Sequence, residues 1–157
     1  MPANGVIQGM RPVIGFNYGA GNSGRVKCAI RCSLVLVAVI SLAGTLVSVL
    51  FPVQIMNLFD AEPSLVSEGS VALRITGAAF MISSVAIVAS GVYESIGRGR
   101  ASLKIALLRQ FIIIIPLSFI LSRIIGPVGV WIAFPVSEAV VLVIASFSLL
   151  RLDRDEL

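Results

Sequence analysis

Two stretches of this chain carry no charge at all, one of 28 residues (32–59) and one of 19 (75–93). About 20 mostly apolar residues suffice for a helix to cross the hydrocarbon core of a bilayer. Each stretch therefore supplies a spanning helix, at about 27–50 and about 67–95. Two more spans follow at about 103–125 and about 128–150; Arg109 lies a turn or so inside the first of these, Arg123 near its far end, and Glu138 near the middle of the second. The two arginines are expected to snorkel toward an interface. Residues 5–20 are apolar but short and rich in Gly, and read as the end of a helix whose beginning is missing or irregular. Open strands cannot satisfy their backbone groups in lipid, and the alternation of an outer-membrane barrel is absent. The expected fold is an all-α membrane protein, a polytopic helical bundle of about four full transmembrane helices plus one partial.

Composition supports the bilayer assignment. Apolar residues make up 57% of the chain and charged residues 13%, with a mean hydropathy of +1.03. A soluble domain carries roughly 25% charge, so too few charges remain here to cover a globule in water. With no His and two Cys, a zinc or iron–sulfur site is not expected. Cys28 and Cys32 stand i, i+4 rather than as a CxxC redox pair, and read as small packing residues. The net charge of +4 reflects the basic loops of a membrane protein rather than a nucleic-acid surface, since the charges are not clustered with aromatics. The first residues, MPANGVIQGMRP, do not form a secretory signal.

The connections agree with these spans. GAGNSGR (19–25) is a loop, FPVQIMNLFDAEPSL (51–65) an interfacial segment, GRGR (97–100) a tight basic turn and GPVG (126–129) another turn. Placing the first loop inside puts Arg25, Lys27, Arg31, Arg98, Arg100, Lys104, Arg109, Arg151 and Arg154 on the cytoplasmic side, nine of the twelve basic residues. Arg74 and Arg123 remain outside, with Asp60, Glu62 and Glu68. That asymmetry orients the chain with a cytoplasmic C-terminal tail, 151–157.

Gly5–Gly9 and Gly15–Gly19 are both G-x-x-x-G, a spacing that lets a neighbouring membrane helix approach closely. Pro12 and Pro116 interrupt helical runs. Such breaks are tolerated where protein or a water-filled cavity re-satisfies the backbone, and they recur in transporters that rock between two states. Plain packing with one kink accounts for them equally.

The run GVIQGMRPVIGFNYGAGNSGRV (5–26) resembles the multidrug and toxic compound extrusion (MATE) family. There an eighth helix ends in a Gln–Gly–Pro–Gly–Asn–Gly–Ala pattern before a basic loop, matched by Gln8, Gly9, Pro12, Gly15, Asn17, Gly19, Ala20 and Arg25. VASGVYESIGRGRASLKIALLRQFIIIIPL (88–117) resembles the junction of the tenth and eleventh helices, and GPVGVWIAFPVSEAV (126–140) the start of the twelfth, with Gly129, Val130, Trp131, Pro135 and Ser137 in place. The resemblance covers nearly the whole chain and leans to the DinF and MepA side of the family. It implies the last third of a twelve-helix, two-lobe transporter in the bacterial inner membrane. Such a transporter exports small cationic or amphipathic drugs against proton or sodium entry, with no cofactor. It further implies that the N-terminal lobe and the seventh helix are missing, so that the chain is a fragment, a truncated product or half of a split protein. By ungapped alignment Ser83 occupies the place where the NorM-like branch has a carboxylate, which argues against sodium binding of that type.

Several polar residues are candidates for the pathway. Glu138 lies about ten residues into its span, about 15 Å deep at 1.5 Å per residue, where a charged carboxylate costs roughly 2.5–3.5 kcal/mol on insertion scales. It suits a proton carrier or cation ligand, or else a structural carboxylate capped by Ser137 or a neighbouring helix. Glu94 precedes Arg98 by four residues, the spacing of an ion pair along one helix face. Asn17 and Gln8 lie on a presumed cavity helix, where Asn17 caps or bridges helices or meets substrate. Ser83, Ser84 and Ser90 line a passage or hydrogen-bond their own helix. Arg109 and Gln110 read as anchors of one end of their span. Phe16, Tyr18, Phe80 and Met81 form either a soft apolar wall for drugs or ordinary core.

Three functions fit these features. One is part of a cation-coupled multidrug exporter working by alternating access. The second is a lipid-linked saccharide flippase of the same superfamily, which is expected to hold pyrophosphate with several Arg or Lys; Arg11 alone stands at mid-membrane depth in the sequence. The third is a non-transporting membrane fragment. An enzyme is not expected, since no nucleophile–base pair or metal cluster is present.

Overall fold

The computed structural model describes residues 2–59 and 62–155, and they are almost entirely helical. The helices are α1 (Pro2–Gly19), α2 (Ser23–Leu50), the short α3 (Pro52–Asn57), α4 (Pro63–Ser95), α5 (Gly99–Leu107), α6 (Ile115–Ile125) and α7 (Pro127–Asp155). A π-helical stretch, Leu108–Ile114, joins α5 to α6, so that Gly99–Ile125 forms one continuous rod. Four units are long and apolar enough to cross a membrane by length and composition: α2, α4, the α5–α6 rod and α7 up to Leu152. The protein is a multi-pass membrane protein. Asp60, and residues 156–157 of the expected tail, lie outside the described residues.

Turn chemistry sets the connections. Gly97 and Gly126 adopt φ of 79° and 75°, a left-handed region that side chains with a Cβ rarely enter. One closes the turn between α4 and α5, the other the turn between α6 and α7. Pro52 and Pro63 each stand in the first turn of a helix, where the missing N–H breaks no bond. The interfacial segment folds in part as α3, which packs on α4.

α4 is the hub, touching α1, α2, α3, α5 and α7. α1 presents Ala3, Ile7, Met10 and Ile14, a stripe at three- and four-residue spacing, to Val37 of α2 and to Val88 and Val92 of α4. α4 and α7 meet through small residues, Ala86 and Ala89 against Val141 and Ala145. The outer faces carry exposed Val35, Leu36 and Val39 on α2, Phe119 and Ile120 on α6, and Val143 and Phe147 on α7. Apolar surface of this extent matches a lipid-facing bundle.

α1 runs unbroken from Pro2 to Gly19, 18 residues with Pro12 inside it, so the described part of this helix is regular. Two expectations are corrected. The two G-x-x-x-G pairs do not make the close approaches. A Cβ at Gly5, Gly9 or Gly19 would meet nothing within 4 Å, and only Gly15 lies against a neighbour, the Ser95 carbonyl at 3.1 Å. The close contacts are elsewhere. A Cβ on Gly77 would stand 2.6 Å from Ser48 Cβ, and one on Gly91 would stand 2.6 Å from Met10 Cε. Finally, α7 continues to Asp155, so the tail begins as helix.

Pro116 does not break its span. Its ring crowds the carbonyl four residues back, that of Ile112, and Ile112 belongs to the π-helical stretch. The wider helical turn takes up the misfit without ending the rod. Arg109 and Gln110 sit in that same stretch.

Candidate functional site: a charged groove between α1, α4, α5 and α7

Two connected cavities run along the bundle. The first, about 210 Å³, lies nearer the end that carries Arg98 and Arg100 and is lined by Arg11, Ser90, Glu94, Ser102 and Arg109 among others. The second, about 410 Å³, lies deeper and is lined by Thr76, Phe80, Ser83, Gln110, Phe134 and Glu138 among others. Asn4, Ile87 and Arg109 line both cavities, so the two form one groove with Arg109 at the junction.

Each cavity holds an ion pair between helices. In the first, Arg11 of α1 pairs with Glu94 Oε2 of α4, and Ser102 Oγ of α5 donates to Glu94 Oε1 at 2.8 Å. This corrects the expected pairing of Glu94 with Arg98 along one helix face. An arginine eight residues inside α1 is about 12 Å from that helix's end at 1.5 Å per residue, too deep to be left without a counter-charge. Glu94 therefore turns inward and joins three helices instead of decorating one.

In the second cavity Arg109 Nη1 stands 3.5 Å from Glu138 Oε1. That distance is at the outer limit for a hydrogen bond. Glu138 is about nine-tenths buried, with a residual exposure of 9%. Its other oxygen, Oε2, is buried with no hydrogen-bond partner. Ser137 does not cap Glu138, for its hydroxyl donates to the Phe134 carbonyl of its own helix at 2.8 Å. Arg109, expected as an interfacial anchor, is thus a groove residue, about 15 Å along its rod from Gly99 at 1.5 Å per residue.

The remaining candidates divide clearly. Ser83 is buried and lines the deeper cavity, while Asn17 Nδ2 donates to the Val13 carbonyl of its own helix at 2.8 Å and lines neither cavity. Gln8 and Met81 are exposed and line neither. Phe80 does form part of the deeper wall, whereas Phe16 is exposed. Sequence reasoning missed Arg109, Ser102 and Thr76 as groove residues. For Arg109 a signal existed: a span with an arginine beside a span with a lone glutamate invites pairing.

A bundle of lipid-facing helices with paired charges lining an internal groove has the construction of a membrane transporter lobe. The MatE family model matches residues 1–120, and the chain belongs to that family. It is 27% identical over 153 residues to the multidrug export protein MepA of Staphylococcus aureus strain N315, covering 98% of this chain and 33% of that protein. MepA of Staphylococcus haemolyticus strain JCSC1435 is 27% identical over 143 residues, covering 91% and 31%. Among solved structures, the MATE multidrug transporter DinF-BH superposes with a TM-score of 0.86 at 32% identity, over 99% of this chain and 34% of that one. An inward-facing multidrug resistance MATE transporter of the MOP superfamily superposes at 0.88 with 22% identity, over 96% and 36%, which bears on the fold alone. The chain spans about a third of the length of the curated relatives it matches.

Proposed function

We propose that this chain supplies part of one lobe of a multidrug efflux transporter that exports cationic or amphipathic compounds by alternating access. The observation that carries the reading is Glu138, a buried carboxylate with one unpartnered oxygen, which lines a cavity of about 410 Å³ inside a membrane bundle. A volume in that range suits a drug-sized ligand. The relatives named as multidrug export proteins support the same substrate class.

A second lobe provides the rest of the pathway, because an alternating gate needs two bodies that move against each other. A proton or sodium ion entering down its gradient drives the cycle, with about 2.3 kcal/mol available per charge for each 100 mV. The end bearing Arg25, Lys27, Arg98 and Arg100 faces the cytoplasm of a bacterial cell by the positive-inside rule. The flippase reading fares worse. Arg11 and Arg109 each stand against a carboxylate, whose charge would repel a pyrophosphate.

Ethidium accumulation in cells tests this reading. Expressed together with the N-terminal two thirds of a MatE-family transporter, the chain is expected to lower accumulation, and alone it is expected not to. Glu138→Gln in the joined protein should weaken efflux by about tenfold or more, the loss of roughly 1.4 kcal/mol of cation interaction. Full efflux in the Gln variant would remove Glu138 from the pathway.

A further inference from the structure

We propose that Arg109 is the resident counter-cation of the Glu138 site, and that an organic monocation binds there by displacing its guanidinium into the neighbouring cavity beside Glu94. The proposal deepens the efflux reading and rests on it.

Four observations converge on this exchange. First, the two hydroxyls of the deeper cavity present acceptors. Thr76 Oγ1 gives its hydrogen to the Ala72 carbonyl at 2.7 Å and Ser83 Oγ gives its own to the Phe80 carbonyl at 3.0 Å. Their lone pairs remain, together with the buried Oε2 of Glu138. Acceptors gathered around one carboxylate suit a cation, and the amides of Asn4 and Gln110, which also line the cavity, can turn their oxygens to it. Second, the walls are apolar, with Phe80, Ile87, Ile114 and Phe134. A hydrated inorganic ion gains little from such walls, whereas a lipophilic organic cation gains both burial and contact with aromatic faces.

Third, the cation already present is loosely held. Arg109 Nη1 reaches Glu138 Oε1 at 3.5 Å only, far from the bidentate geometry that makes arginine–carboxylate pairs strong. Fourth, the guanidinium has somewhere to go. Arg109 lines both cavities, and the shallower one contains Glu94. Its position in a π-helical turn adds room for that swing, since such turns interrupt the regular bonding of the rod. A ligand at Glu138 therefore has that carboxylate to itself, while the displaced Arg109 joins Arg11 beside Glu94, the carboxylate of the shallower cavity.

Binding of tritiated tetraphenylphosphonium to the full chain in detergent micelles, by equilibrium dialysis at fixed pH, tests the exchange. Arg109→Gln removes the competitor and is expected to tighten binding about tenfold, the equivalent of about 1.4 kcal/mol. Arg109→Lys retains a competing charge and should stay close to the unsubstituted protein. Millimolar methylguanidinium should reverse the gain in Arg109→Gln while leaving the unsubstituted protein little changed. Glu138→Gln should lose binding. Should Arg109→Gln fail to fold, as judged by helical circular dichroism, Glu94→Gln decides the matter. It lies outside the ligand cavity, yet is expected to weaken binding several-fold because the displaced guanidinium loses its destination. Unchanged or weaker binding in folded Arg109→Gln, or unchanged binding in Glu94→Gln, overturns the proposal. So does absence of binding in both the unsubstituted chain and Arg109→Gln. The efflux reading is judged separately, by ethidium accumulation in cells carrying both lobes.

Discussion

Gly129→Val should cost at least about 3 kcal/mol of stability, at or beyond the upper end of ordinary overpacking. Gly129 stands three residues past the turn at Gly126, where α7 folds back on α6. A Cβ there would run into the Leu121 carbonyl and come within 2.9 Å of the Ser122 nitrogen. These are backbone atoms of a helix, and no rotamer change can move them aside. The hairpin must open instead. Opening it also shifts the register of the rod against α7, and with it the separation of Arg109 from Glu138. Thermal unfolding in detergent, followed by size-exclusion recovery, measures the effect. Gly44→Val is the control, for a Cβ at Gly44 meets nothing within 4 Å, and its change should remain within about 0.5 kcal/mol. Similar Tm values for the two variants would show that the hairpin does not depend on contact at Gly129.

The same glycine shows what the sequence made legible. Uncharged length located two of the spans and apolar runs holding a few charges the other two, because a bilayer admits few alternatives to a helix. The GPVG turn was readable from its residues, and so was the importance of Gly129, through its place in a family pattern. What pattern could not give was which glycines touch. Gly5 and Gly9 carry the expected spacing yet face open space, while Gly77 and Gly91, without that spacing, admit Ser48 and Met10. Close approach depends on how helices cross, and crossing is decided by the whole set of packed side chains. The charged groove was half legible for a related reason. Glu138 announced itself by depth. The partner of Glu94 did not, because Arg98 is near in sequence whereas Arg11 is 83 residues away. Local pairing is the default on an exposed helix. Within the bundle, an arginine set that far from its helix end has the greater need, and its need decides.

That need gives the second large effect. Arg11→Glu places two carboxylates against each other at the junction of α1, α4 and α5. Removing one partner of a fully buried pair costs about 3–5 kcal/mol. Here the side chains keep 46% and 36% of their exposure, so solvent screening reduces the loss to about 2–3 kcal/mol. The exchange Arg11→Glu with Glu94→Arg should recover most of it, since the contact is between charges and the swap preserves them. Thermal midpoints of the two single variants and the swap form a double-mutant cycle that reads the coupling directly. A swap no more stable than its parents would mean that shape, not charge, joins these helices. The neutral pair, Arg11→Met with Glu94→Leu, separates stability from transport. Apolar replacements of a paired charge are often neutral or stabilising, so the bundle should hold. Efflux should nevertheless fall, because the Arg109 guanidinium displaced from Glu138 no longer finds a carboxylate in the adjoining cavity. A stable neutral pair with full efflux would confine Arg11 and Glu94 to a structural role and leave Glu138 to act without them.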